Sequence, residues 1–128
     1  MKKRNGFTLI ELLAVIVILA IILVIAVPKI IDTIENSRKS SMQDAAQLIA
    51  TQAEKEFLVR TASGEDTSAI DCATVAKIND NDYDTCNIDW STTNTGEVEK
   101  VTLTGKEGGK FAGYSCEATS ASATCTKS

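Results

Sequence analysis

The 128-residue chain contains no histidine. Without one, no Ser-His or Cys-His pair can form, and the usual general base at neutral pH is missing. No Gly-rich phosphate loop is present. Neighbouring carboxylates such as Asp80 and Asp82 sit in a polar stretch, with no apolar setting to keep one of them protonated as an acid. No catalytic residue is therefore expected, and the chain does not read as an enzyme. Aromatic residues make up only 5% of it. Tyr83, Trp90, Phe111 and Tyr114 are scattered, which favours packing over an adhesive patch. There is one proline, Pro28, and no Cys-x-x-Cys pair, so a zinc site is not expected. The net charge of −4 provides no footprint for direct nucleic-acid binding.

The chain does have a long apolar run, Phe7 to Val27, preceded by a basic tip of Lys2, Lys3 and Arg4. As a helix these residues would span about 30 Å, the thickness of a bilayer core. One charge, Glu11, lies inside the run. A lone carboxylate is penalised by about 2.5–3.5 kcal/mol at a span's centre, and less near its end. A simple one-pass anchor has no use for it. A secretory signal places its cleavage site after the apolar region. Here the natural cut comes before it, after Gly6. That cut would keep the apolar segment and create an α-amine on Phe7, four residues and one helical turn from Glu11.

Positions 2–13, Lys-Lys-Arg-Asn-Gly-Phe-Thr-Leu-Ile-Glu-Leu-Leu, resemble the leader and start of a type IV prepilin or pseudopilin, and the resemblance continues to Pro28. It implies cleavage between Gly6 and Phe7 by a prepilin peptidase and N-methylation of Phe7. It also implies assembly of the N-terminal helices into a filament, and Glu11 is expected to pair there with the Phe7 amine of an adjoining subunit or with its own. The implied partners are further copies of the chain, the peptidase, an inner-membrane assembly platform and its ATPase. Family filaments often unwind part of this helix upstream of the proline, where many members have glycine. The stretch from Ala20 to Val27 has none. Removing the leader takes away three basic residues and no acidic ones, which lowers the net charge from −4 to −7.

Cys72, Cys86, Cys116 and Cys125 all follow the span and are expected to form disulfides if that part lies outside the cytoplasm. Three pairings are possible. Cys72–Cys86 with Cys116–Cys125 is favoured because both close local loops, and a loop of about 15 residues is stabilised by roughly 3 kcal/mol. The basic tip favours a cytoplasmic N-terminus. Lys29, Arg38 and Lys39 balance it on the other side, and the resemblance and the cysteines break the tie towards N-in, C-out. The precursor would then sit in the cytoplasmic membrane, and the assembled filament at the cell surface.

Pro28 lacks an N–H, so a kink is expected where the helix leaves the membrane. The helical pattern continues over 29–62, with Met42, Ala45, Ile49, Ala53 and Phe57 at three- and four-residue spacing. From Phe7 to Arg60 the helix would run about 80 Å if unbroken. Thr61-Ala62-Ser63-Gly64 ends it. Residues 63–96 read as a connecting loop with one short helix near Ser68 to Ile78. Residues 97–128 read as a sheet. Val101 and Leu103 alternate with threonines, Gly105 to Gly109 turns, Lys110 to Cys116 returns, and Ala123 to Thr126 forms a last strand. Asp80, Asp82 and Asp84 alternate as oxygen ligands for calcium can, but the glycine and closing glutamate of an EF-hand are missing, and a solvated acidic loop is favoured. No cofactor is otherwise expected.

The expected architecture is α+β: a leader (1–6), a transmembrane and filament-core segment (7–28), and a globular domain (29–128) in which the helix packs on a small antiparallel sheet. The expected function is that of a structural pilus subunit. The alternatives are a pseudopilin of a type II secretion or competence DNA-uptake machine, and a membrane-anchored binding module.

Overall fold

A computed structural model describes residues 6–78 and 80–128. The elements run α1 (Leu9–Ser63), α2 (Cys72–Val75), β1 (Tyr83–Trp90), β2 (Val98–Gly105), β3 (Tyr114–Ala118) and β4 (Ala123–Lys127). The chain divides into two compact units, one ending at Asn36 and the other covering Ser37–Ser128. The globular unit thus begins at Ser37, later than the position 29 expected from the end of the apolar run. Residues 29–36 include Ile30, Ile31 and Ile34, but these side chains are exposed, and the buried residues of α1 begin only at Met42.

In the N-terminal unit, α1 is Leu-, Ile-, Val- and Ala-rich, and its large apolar side chains are exposed throughout. A helix satisfies all its interior backbone groups within itself, as a lipid-spanning segment requires. This is the one helix among the described residues long and apolar enough to cross a membrane. Pro28 lies inside α1 without ending it.

In the globular unit, α1 buries Met42, Ala46, Ile49, Ala50 and Ala53. Three of the five are alanines, and Met42 and Ile49 supply the bulk on this buried face. Arg60 braces the last turn, donating from Nε to Glu56 Oε1 at 2.8 Å and from Nη1 to the Asp66 carbonyl at 3.0 Å. Gly64, at φ +74°, takes the left-handed conformation that stops the helix.

The sheet is an antiparallel meander in the order β1-β2-β3-β4. Val101, Leu103, Cys116, Ala118 and Cys125 are buried, while Thr102, Glu117, Thr124 and Thr126 alternate with them and are more exposed. Side chains of α1 also bond the backbone of the β3–β4 turn and of β4. Gln47 Nε2 donates to the Ser120 carbonyl at 3.2 Å, and Gln43 Nε2 donates to that of Ala123 at 3.5 Å.

Three boundaries differ from expectation. The segment 63–96 is not all loop, because β1 occupies Tyr83–Trp90 within it. Its inward residues Cys86, Ile88 and Trp90 do alternate, but Asp84, Asn87 and Asp89 are poor strand formers that mask the pattern. Pairing with β2, Ile88 opposite Val101, overrides that propensity. The short helix expected over 68–78 shrinks to Cys72–Val75. It is capped by reciprocal Asp71–Thr74 hydrogen bonds and stops where Ala76 turns extended. The return strand starts at Tyr114 rather than Lys110. Phe111 is tucked into the core, and a Cβ added to Gly105 would lie 1.7 Å from the Phe111 carbonyl oxygen. This close approach keeps 106–113 as a turn.

Candidate processing and assembly site

Gly6, Phe7 and Thr8 precede the helix and are exposed. The leader residues 1–5, with Lys2, Lys3 and Arg4, lie outside the described residues. A Cβ built on Gly6 meets nothing within 4 Å. Packing within the described chain therefore places no demand for glycine at this position.

Helix α1 starts at Leu9 because Thr8 caps it. The Glu11 N–H donates to Thr8 Oγ1 at 3.2 Å, and the Thr8 N–H donates to Glu11 Oε2 at 3.2 Å. The Leu12 N–H reaches the Thr8 carbonyl at 3.2 Å. This is a capping box, in which two helix-end donors are satisfied reciprocally. The carboxylate also sits in the first turn, where the helix dipole favours negative charge. Glu11 is thus not a solitary acid in the single chain, as expected from composition alone. It already has a partner in its own backbone. The sequence reading did not single out Thr8, although Thr-Leu-Ile-Glu before an apolar run is a sequence signature of this cap.

The remaining expected positions lie in the globular unit. The structure joins Cys72 to Cys86 and Cys116 to Cys125, and no free cysteine remains among the described residues. The first bridge ties α2 to the edge strand β1. The second joins directly opposed residues of β3 and β4.

Asp80 and Asp84 line one surface cavity, but Asp80, Asp82 and Asp84 do not converge as a set of three. The Asp82 carboxylate faces Lys110 Nζ at 3.7 Å, the Asp80 carbonyl accepts from Lys106 Nζ at 3.1 Å, and Asp84 lies exposed on β1. Among the described residues, no group of three or more Asp, Glu, Cys or His side chains is placed to hold a metal ion. The aromatics do not form one patch either. Trp90 packs on Phe57 (ring centroids 5.4 Å apart), and Tyr83 stacks on Phe111 (5.2 Å).

Tyr83, Arg60 and Asp66 have displaced pKa values. Burial, with Asp82 adding to it, pushes the Tyr83 phenol up. The hydrogen bond to Glu56 raises the Arg60 guanidinium, and hydrogen bonds from Ser68 lower the Asp66 carboxyl.

Compared with known proteins, residues 1–27 match the family model of the prokaryotic N-terminal methylation motif. No curated protein and no solved structure matches the chain.

Proposed function

We propose that this type IV pilin-like precursor is a structural filament subunit, cut after Gly6, methylated on the Phe7 amine, and polymerised through α1. The observation that carries the reading is the methylation motif over residues 1–27, joined to an exposed apolar helix that begins just beyond a non-helical Gly6–Phe7–Thr8 segment. A protease needs its scissile peptide out of regular helix, and this segment meets that need. The chain's own packing does not call for Gly6, which is consistent with recognition by a processing enzyme.

Hydrolysis of the Gly6–Phe7 amide would release the basic leader and leave an ammonium on Phe7. Methyl transfer to that nitrogen retains a basic amine. Glu11, one turn away, is the anion available to it, and pairing lowers the penalty of holding either charge in lipid. The apolar faces of α1 then exchange lipid for one another, with van der Waals packing as the cohesive term. In this reading the N-terminus faces the cytoplasm, and the disulfide-braced domain lies outside, where bridges persist. The working partners are the prepilin peptidase, the inner-membrane platform and its ATPase.

The test is the intact mass of the protein from whole cells and from sheared surface fibres. The expected mass corresponds to a chain starting at methylated Phe7 with both disulfides closed. Native protein that begins at Met1 and is never found in polymers would overturn the reading.

A further inference from the structure

We propose that the outer face of the sheet binds the ordered surface of a neutral polysaccharide through a lattice of threonine and serine hydroxyls.

The four strands are paired so that their outward residues fall into two rows. Thr85, Thr104, Ser115 and Thr126 are successive partners from β1 to β4. Asn87, Thr102, Glu117 and Thr124 form the second row, two residues along each strand. Strands lie about 4.8 Å apart, and like-facing residues about 6.7 Å apart along a strand, so the face presents a two-dimensional repeat. The opposite face carries Val101, Leu103, Cys116 and Cys125 into the core. The Cys116–Cys125 bridge ties β3 to β4 from that side.

Alternation and strand propensity by themselves put threonine on a solvated sheet face. They do not ask for the neutrality of this one. Natural sheets commonly use charge to keep other chains away, and this chain is acidic, with a net charge of −4. Yet the one charge in the two rows is Glu117, and Lys100 Nζ lies 3.3 Å from its carboxylate. Several hydroxyls are already oriented. Thr104 Oγ1 accepts the Thr85 N–H at 3.1 Å and is bonded to the Thr85 hydroxyl, and the Thr126 hydroxyl donates to the Ser115 carbonyl at 3.5 Å. Less side-chain entropy is then lost on binding a partner.

An uncharged face of donors and acceptors fits an uncharged partner with the same groups. The rings of β1 turn to the other side, Trp90 on Phe57 and Tyr83 on Phe111, so they are not free to stack on a lone sugar. Recognition then rests on the repeat. A β-linked glucan laid across the strands advances by about one strand spacing per sugar, so each hydroxyl of a row meets one sugar in turn. Such bonds are individually weak in water, because each replaces a bond to solvent. Copies repeated along a fibre act together, a gain that rests on the filament reading above.

Co-sedimentation of the disulfide-intact mature chain with microcrystalline cellulose tests this, with single chains in detergent micelles and with native fibres. Wild-type single chains should pellet with cellulose, and fibres more tightly. Thr102→Lys/Thr124→Lys should weaken binding about tenfold, since each ammonium must shed water against an uncharged partner. Thr124→Lys alone, at an exposed position, should lose part of the binding. Thr92→Lys adds the same charge on the loop between β1 and β2 and should bind as wild type. Wild type that stays in solution in both forms overturns the proposal, as does wild-type binding by both Thr124→Lys and the double variant. Pelleting without cellulose that the lysines abolish would assign the face to contacts between copies and overturn it too. If native protein proves unprocessed and never polymeric, the filament reading falls, while binding by single chains still decides the role of this face.

Discussion

Glu54 on α1 accepts the backbone N–H of Val98, the first residue of β2, at 3.0 Å. This bond joins the helix to the strand that carries Val101 and Leu103, the centre of the buried core. Glu54→Ala leaves that N–H without its acceptor and should destabilise the domain by about 1–3 kcal/mol. Glu54→Gln keeps an acceptor oxygen and should recover most of the loss. Chemical denaturation of the disulfide-intact protein checks both, and equal midpoints for Glu54→Ala and wild type would contradict it.

Two glycines with positive φ separate steric from conformational demand. Gly96, at φ +87°, lies under Phe57, where an added Cβ would be 2.7 Å from the ring. Gly108, at φ +83°, has nothing within 4 Å of such an atom. Gly96→Ala should therefore cost more than Gly108→Ala, whose strain alone is worth about 1 kcal/mol. It should also disturb the Phe57–Trp90 contact, seen as a shift in Trp90 fluorescence. An equal effect of the two substitutions would show that Phe57 moves aside freely.

The two disulfides should differ in accessibility. Cys116 and Cys125 are fully enclosed, whereas Cys86 is only half-buried on the edge strand. Limited reduction followed by alkylation and peptide mapping should label Cys72 and Cys86 first. Replacing that pair by serine should lower stability by about 3 kcal/mol, the closure entropy of a loop of this size.

Tyr83 makes stability depend on alkaline pH. Its folded pKa is raised above the usual 10.0, chiefly by burial and secondarily by Asp82. A raised folded pKa means its contribution is complete below the unfolded value and is lost as pH climbs through the folded one. Thermal midpoints should thus fall between about pH 10 and the higher folded value. Tyr83→Phe should flatten that part of the profile. An unchanged alkaline slope in Tyr83→Phe would assign the loss to other groups.

Much of this was legible in the residues. The apolar run, its helical continuation and the final strand follow from periodicity, because a single long helix and a hairpin declare themselves locally. Strand β1 was not legible. Asp84, Asn87 and Asp89 argue against a strand until Val101 and Leu103 are placed beside it. Thr8 was legible and overlooked, since its signature is four residues long and was outweighed by the charge of Glu11. The shift of the globular boundary to Ser37 depends on which helical residues find the sheet, and that is a matter of packing.

Covalent order alone determined the apolar helix, the basic tip, the position of Gly6–Phe7 and the placement of one carboxylate inside the first turns. These are properties of neighbours in the chain, fixed by hydropathy and helix geometry. Tertiary structure decided that an aspartate-rich stretch becomes an edge strand and that Phe111 belongs to the core. Each of these depends on distant residues sharing one buried volume, and burial is a property of the folded chain as a whole.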